Sequence, residues 1–398
     1  MRMNRRQFVA GAGASVMGAL RPKPARAAPT APVAVARCRS YGDEFLQTAA
    51  KLFDQLGGLG RLVKGKTVAL KVNLTGTGAQ RFDYLPAGRT HWTHPRTAAA
   101  LIHLLHKAGA RRIRVLEGAM SWPDSLEEFM LKTGWNPNLL LQAAPGVEMF
   151  NTNLPFPGSK PYTRFSVPHG GHLFPAYDLS TAYYECDVFV TLTKLKEHAT
   201  AGLTLAMKNS FGITPCTIYG NRVPEDEPAP IPYAGRQDII HRGSRQPPKS
   251  APQEKDPTSP REGGYRVPRC VADLVAARPI HLCVLDGIET IAGAELPRPN
   301  TRYCAPGIVI AGTNCVTTDA VAAAIMGFDP MADRGTPPFE QCDSTLRLAE
   351  ELGVGTRDLK QIEVIGVPIE QARFSFRNVK GLGPGGNAGS AAGQPRRG

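Results

Sequence analysis

Short apolar runs alternate along the chain with stretches in which apolar residues recur at helical spacing. The runs predict strands at 66–74, 113–117, 187–193, 281–286, 307–311 and 362–367. The helical spacing predicts helices at 94–107, 125–133, 318–326 and 340–352, the first of them after a Thr93 cap. Strands this apolar are typical of parallel sheets buried on both faces. We therefore predict an α/β domain over residues 28–380, with a mainly parallel sheet covered by helices on both faces.

Two segments break the alternation. Residues 221–262 hold nine prolines and fourteen charged side chains, a composition that disfavours an independent core. This segment is either a long insertion that covers the domain like a lid or a disordered linker. Residues 381–398 are rich in glycine, and we expect a disordered tail there.

The first residues carry an export pattern. Arg5 and Arg6 precede a weakly apolar run, and Ala25-Arg26-Ala27 fits a small-x-small cleavage site. We expect 1–27 to be a twin-arginine signal peptide, read by the twin-arginine translocation machinery. The protein would then be periplasmic or otherwise exported, with no transmembrane anchor after cleavage.

Composition narrows the class of protein. The chain has 398 residues, of which 42% are hydrophobic and 20% charged, as in ordinary globular domains. The formal net charge is +13, but residues 1–27 hold six basic residues and no acidic one, so the remaining chain carries +7. This mild excess argues against nucleic acid as the main partner and is compatible with a local anion site.

The eight cysteines are widely spaced, and no C-x-x-C occurs. We therefore expect no iron–sulfur cluster. Buried thiols and one or two disulfides both remain open, since pairing cannot be deduced from spacing.

Polar residues follow several of the predicted strands. In open α/β sheets, ligands bind at the carboxyl ends of the strands. Lysine and asparagine residues in these places are suited to bind phosphate or carboxylate oxygens. The candidates for ligand binding are Lys71, Asn73, Lys194, Lys196, Lys208 and Asn209. The structural alternative is that the lysines form ion pairs with Asp187, Asp286 or Asp319.

Imidazole and carboxylate groups in the same places are suited to acid–base or metal chemistry. We select His94, His198 and Asp286 as candidate catalytic residues. Together with Asp319 they could also hold a divalent metal. Asp319 has a simpler explanation as an acid in the first turn of a helix, and Asp286 as a turn residue before Gly287.

The arrangement resembles the domain-of-unknown-function 362 family over about residues 66–366. The pieces that carry the resemblance are Lys71-Val72-Asn73, Thr93-His94-Pro95, Lys194-Leu195-Lys196-Glu197-His198, Lys208-Asn209-Ser210-Phe211-Gly212, Asp286-Gly287 and Asp319-Ala320-Val321-Ala322. Some members of that family carry ferredoxin-like cysteine clusters, which this chain lacks. Glu197 stands where the family usually has threonine, and its carboxylate could offset one lysine. The resemblance implies no reaction.

Two functional hypotheses follow. The protein is an exported enzyme that acts on a small anionic substrate, with metal assistance as an option. Alternatively, it is an accessory protein that binds an anion or a metal without turnover. A third option is an interaction scaffold that uses the proline-rich insertion. A histidine or aspartate beside the lysines would favour the enzyme.

Overall fold

The computed structural model describes residues 28–119, 123–232 and 235–379. The predicted signal peptide and the predicted tail lie outside these residues. The strands are β1 Val33–Arg37, β2 Thr67–Lys71, β3 Arg112–Glu117, β4 Val147–Asn151, β5 Tyr162–Ser166, β6 Ala176–Ser180, β7 Val188–Lys194, β8 Lys196–His198, β9 Gly202–Thr204, β10 Leu282–Gly287, β11 Thr290–Ala292, β12 Arg302–Cys304, β13 Ile308–Gly312 and β14 Val364–Gly366. The α-helices are α1 Asp43–Gln55, α2 Leu59–Val63, α3 Pro95–Lys107, α4 Leu126–Lys132, α5 Pro137–Leu141, α6 Thr181–Tyr184, α7 Ala206–Asn209, α8 Cys216–Tyr219, α9 Gly263–Ala277, α10 Cys315–Ile325, α11 Thr345–Glu351 and α12 Ile369–Ala372.

Eight strands form the central sheet, in the order β14-β1-β13-β10-β7-β2-β3-β4. Strands β10, β7, β2, β3 and β4 run parallel, and only β13 opposes its neighbours in this sheet. The carboxyl ends of β2, β3, β7 and β10 therefore meet at one edge. The predicted mainly parallel sheet is confirmed.

Both faces of the sheet are buried. Along β10, Val284 belongs to an apolar cluster shared with α1 and α3, whereas its neighbours Cys283 and Leu285 belong to a second cluster shared with α9 and α10. Successive side chains of a strand point to opposite faces, so helices cover the sheet on both sides. Burial on both faces explains why successive residues of these strands are apolar and do not alternate between apolar and polar.

Three predicted helix starts need correction. Helix α11 begins at Thr345, five residues later than predicted, because the Ser344 side chain caps it. Helix α3 is capped by His94, whose Nδ1 accepts a hydrogen bond from the Arg96 N–H at 3.2 Å, and not by Thr93. Helix α10 begins at Cys315, three residues earlier than predicted, because the Asn314 side chain caps it. Asp319 therefore lies beyond the first turn, and the helix-dipole explanation for it is wrong.

The described residues of the 221–262 segment are packed against the domain. Ile239 and Ile240 are buried in the core, and Glu254 is buried beneath the segment's own residues. The Glu254 carboxylate accepts hydrogen bonds from Arg261 at 2.7 Å and from Arg266 of α9 at 2.5 Å. The segment is thus fixed to the domain by a buried charge network as well as by apolar contacts.

The described residues contain neither a membrane-spanning helix nor a disulfide. None of the helices in the described ranges combines the length and apolarity that a membrane crossing requires. No disulfide is formed there, and all eight cysteines are buried.

Candidate functional site

A cavity of about 350 Å³ lies at the carboxyl edge of the sheet, beside the ends of β2 and β3. The proline-rich segment closes one side of it. The predicted residues that line it are Lys71, Asn73, His198, Lys208 and Asn209. The structure therefore brings together five of the side chains that the sequence predicts for the site.

Lys71 forms the floor of the cavity as part of a buried ion pair. Its Nζ lies 2.7 Å from Oε1 of Glu117, and it also donates to the Val72 carbonyl at 2.7 Å and to Oδ1 of Asn209 at 3.2 Å. The other carboxylate oxygen of Glu117 accepts the Leu74 N–H at 2.8 Å. All three ammonium protons of Lys71 have acceptors, so Lys71 positions its neighbours instead of offering a free charge.

Asn73 and Asn209 have fixed amide orientations. Nδ2 of Asn73 donates to Oδ1 of Asn209 at 3.0 Å, and Nδ2 of Asn209 donates to Oγ1 of Thr191 at 2.7 Å. Behind them, fully buried Lys196 donates to Oδ1 of Asn73 at 3.1 Å and to the backbone carbonyls of His91 and Glu295. Lys196 supports the wall and does not line the cavity. Burial lowers its pKa to about 7.

Lys208 differs from the other lysines. Its Nζ lies 4.1 Å above the centre of the Phe211 ring, and it makes no hydrogen bond or ion pair within the described ranges. Burial lowers the pKa of Lys208 to about 7, opposed by the charge of Glu295. An ammonium group without an acidic partner is costly in such a place unless a ligand supplies the charge.

Two further basic side chains surround the same aromatic ring. The guanidinium carbon of Arg236 lies 5.8 Å from the centre of Phe211, and the His241 ring centre lies 5.5 Å from it. We call Lys208, Arg236 and His241 the basic cluster. Its last two members come from the proline-rich segment, and sequence reasoning missed them because nothing local marks an arginine or histidine there as facing a cavity.

Hydrogen bonds along one edge of its guanidinium group fix the orientation of Arg236. Nε and Nη2 donate to the Thr214 carbonyl at 2.8 and 2.6 Å, and Nη2 also donates to Oδ1 of Asn153 at 3.1 Å. Nη1 makes no hydrogen bond to any residue that the structure describes. Because Arg236 lines the cavity, its remaining donors are available to a ligand.

His198 adds a neutral donor. Its Nδ1 accepts the Thr200 N–H at 3.1 Å, which places the ring proton of the neutral form on Nε2. Burial and then the nearby Lys208 charge hold the pKa of His198 well below its usual range. His198 is therefore uncharged at neutral pH and presents an N–H group. The pKa of His241 is lowered to about 4, chiefly by burial.

Lys194 and Asp286 lie in a different cluster. Lys194 Nζ is 2.8 Å from Oδ2 of Asp286 and 2.6 Å from the Tyr41 hydroxyl, and the Tyr41 ring stacks on His94 at 3.6 Å. None of these four residues lines the cavity. For Lys194 the structural alternative, an ion pair with Asp286, is the one the structure contains. Burial lowers the pKa of His94 to about 3.

Asp319 also has a structural place. Its carboxylate accepts the N–H groups of Ala206 and Met207, both at 2.9 Å, and so holds the short helix that carries Lys208 and Asn209. Glu197, the departure from the family pattern, accepts the Gly293 N–H and pairs with none of the lysines that the structure describes.

The four predicted metal ligands thus have separate partners. His94 caps a helix, Asp286 pairs with Lys194, Asp319 binds backbone, and only His198 reaches the cavity. Across the described ranges, no three His, Cys, Asp or Glu side chains are grouped so that they could hold a metal ion. These four residues therefore do not form the predicted metal site in this structure.

Comparison with known proteins identifies the class to which this arrangement belongs. The sequence model of a domain of unknown function, DUF362, matches residues 68–324, and the chain belongs to that family. The matched region includes every cavity residue named above.

Among characterised sequences, a thylakoid-associated protein of Synechocystis is 31% identical over 185 residues. The match covers 46% of this chain and 50% of the relative, so the chain spans about half the length of that protein.

Two solved structures align with part of the chain. A Thermotoga maritima protein aligns at 18% identity with a TM-score of 0.27, covering 42% of this chain and 38% of that one. The lactate racemase apoprotein from Thermoanaerobacterium thermosaccharolyticum aligns at 15% identity with a TM-score of 0.31, covering 47% and 39% of the two chains.

Proposed function

We propose that the cavity binds a small anionic ligand and that Lys208 is its main electrostatic anchor. The observation that carries this proposal is the Lys208 ammonium group, which faces the cavity against an aromatic ring and forms no ion pair with any residue that the structure describes. A bound carboxylate or phosphate would supply the missing counter-charge.

The balance of charge in the cavity supports an anion. The carboxylate of Glu117 is paired with Lys71, and that of Glu295 is paired with Arg298 at 2.6 Å. Lys208 and Arg236 remain as cations without an acidic partner among the residues that the structure describes. A zwitterionic ligand fits less well, because both carboxylates that line the cavity are already engaged.

The donors available to the ligand come from three separate parts of the chain. They are the Lys208 ammonium, Nη1 of Arg236 and Nε2 of His198. Hydrogen bonds between charged donors and anionic oxygens are about twice as strong as neutral ones. The ligand therefore binds where these three parts of the chain meet in the cavity.

The same cavity suits an enzyme that acts on the bound anion. His198 and His241 both line it beside Lys208, so titratable groups lie where a proton could be moved to or from the ligand. This arrangement favours the enzyme hypothesis over an accessory protein that binds without turnover. Because the proline-rich segment builds part of the cavity wall, the hypothesis that it serves as an interaction scaffold has less support.

The experiment is isothermal titration of the purified protein with acetate and inorganic phosphate. We expect Lys208→Met to lower the affinity about tenfold or more, because one charged hydrogen bond is lost. Lys249→Met is the matched control, since it makes the same substitution at a lysine of the proline-rich segment that lies in an exposed pair with Asp226. Equal affinities for the wild type and Lys208→Met would refute the proposal.

A further inference from the structure

The basic cluster places two cationic side chains around one aromatic ring that lines the cavity. Lys208 and Arg236 both lie within 6 Å of the centre of one ring, that of Phe211, and neither has an acidic partner among the described residues. His241 packs edge-on against the same ring. Two cations around one ring, neither of them in an ion pair among the described residues, favour a ligand group that carries two negative charges.

We infer that the ligand is a phosphate monoester of a small organic molecule, with its terminal phosphate group between Lys208 and Arg236. This inference rests on the proposed function and specifies its ligand. A phosphate monoester is close to doubly charged at neutral pH and offers three acceptor oxygens on one atom. The ammonium of Lys208, Nη1 of Arg236 and Nε2–H of His198 are three donors of the matching kind.

The other common anions match less well. A monocarboxylate brings one charge and leaves the second cation uncompensated. A dicarboxylate brings two charges, but its carbon chain separates them, whereas the two cations lie around one ring. The phosphate group alone would leave most of the cavity empty, because about 350 Å³ is the size of a small-molecule site. Leu74 and Leu296 line the remainder and suit an organic body.

The test compares four ligands by isothermal titration at pH 7.5: glycerol 3-phosphate, inorganic phosphate, succinate and acetate. We expect glycerol 3-phosphate to bind about tenfold or more tightly than succinate and acetate. Arg236→Gln and Lys208→Met should each reduce this preference, while Lys249→Met leaves it unchanged. If Arg236→Gln does not fold, as judged by circular dichroism, Lys208→Met alone decides the contribution of the cluster.

The outcomes separate this inference from the proposed function. If succinate or acetate binds as tightly as glycerol 3-phosphate and still depends on Lys208, the anion site stands and the phosphate inference is overturned. If inorganic phosphate binds as tightly as glycerol 3-phosphate, the ligand is free phosphate. The inference of a phosphate monoester is then overturned. If none of the four binds, both proposals fail.

Discussion

Lys194 and Asp286 are register partners in the adjacent parallel strands β7 and β10, and their side chains form a fully buried ion pair at 2.8 Å. In this register, neither of the two side chains lines the cavity. The pairing of β7 with β10 therefore gives Lys194 an acidic partner, whereas Lys208, further along the chain, has none among the described residues.

Asp286→Asn should strongly destabilise the protein. The change leaves the buried Lys194 ammonium without its counter-charge, and breaking a buried pair costs about 3–5 kcal/mol. Urea denaturation at pH 7 measures the free energy of unfolding. The double variant Lys194→Met/Asp286→Leu should lose less, since it removes both charges. If Asp286→Asn costs no more than Asp226→Asn, which breaks an exposed pair, the ion pair is not a main contributor.

Anion binding should weaken as pH rises above 7. Burial lowers the pKa of Lys208 to about 7, so the free protein loses the ammonium form above that pH, and a bound anion must restore it. The affinity should fall by up to about tenfold per pH unit between pH 7.5 and 9. Titrations with inorganic phosphate across this range measure the effect.

Lys208→Arg is the control for this pH dependence, because arginine keeps its charge throughout the range. Its affinity should change little between pH 7.5 and 9. A Lys208→Arg variant that loses affinity as steeply as the wild type would show that another group is responsible.

Glu254→Gln should loosen the proline-rich segment. Burial tends to raise the pKa of Glu254, but hydrogen bonds from Arg266, Ser259, Gln246 and Arg261 outweigh it and bring the pKa to about 2. A carboxyl group with a lowered pKa in the folded state stabilises above its unfolded pKa, near 4.5, and loses that effect as pH falls toward 2. We expect faster proteolysis within 221–262 at pH 7.

The stability difference between wild type and Glu254→Gln should shrink between pH 5 and pH 3, as measured by urea denaturation. Asp256→Asn, an exposed neighbour on the same segment, serves as the control and should leave proteolysis unchanged. Equal cleavage of Glu254→Gln and wild type would show that apolar contacts alone hold the segment.

Asp319→Ala should weaken anion binding although Asp319 does not line the cavity. The change removes the acceptor of two buried N–H groups, those of Ala206 and Met207, at about 1–3 kcal/mol each. Lys208 follows Met207 directly and loses its position. Asp319→Asn keeps one acceptor oxygen and should lose less affinity. An Asp319→Ala variant that is destabilised yet binds phosphate as tightly as wild type would limit Asp319 to a structural role.

The predicted signal peptide at residues 1–27 provides a separate test, that of export. The twin arginines predict that Arg5→Lys/Arg6→Lys retains the protein in the cytoplasm of an expressing bacterium with a twin-arginine system. Cell fractionation and the size of the mature chain measure this. The Lys23→Gln variant is the control and should be exported normally. Export of the double variant at the wild-type level would contradict the signal assignment.

The sequence by itself determined the architecture and the edge of the sheet at which the cavity lies. Apolar runs such as those of β7 and β10 are governed by burial, which depends on local composition, so their alternation with helices was predictable. The polar residues at the end of a parallel strand necessarily lie at its carboxyl edge, which places Lys71 and Asn73 on one wall, where Asn209 of α7 joins them.

Only the tertiary structure decided which charged groups are paired and which are left for a ligand. Lys194 and Lys208 are equivalent as sequence patterns, but an acid 92 residues away pairs with the first and none pairs with the second in the described chain. Arg236 reaches the cavity through contacts with Asn153 and Thr214, distant in sequence. Electrostatic partners are set by distance in space, and local sequence does not contain that distance.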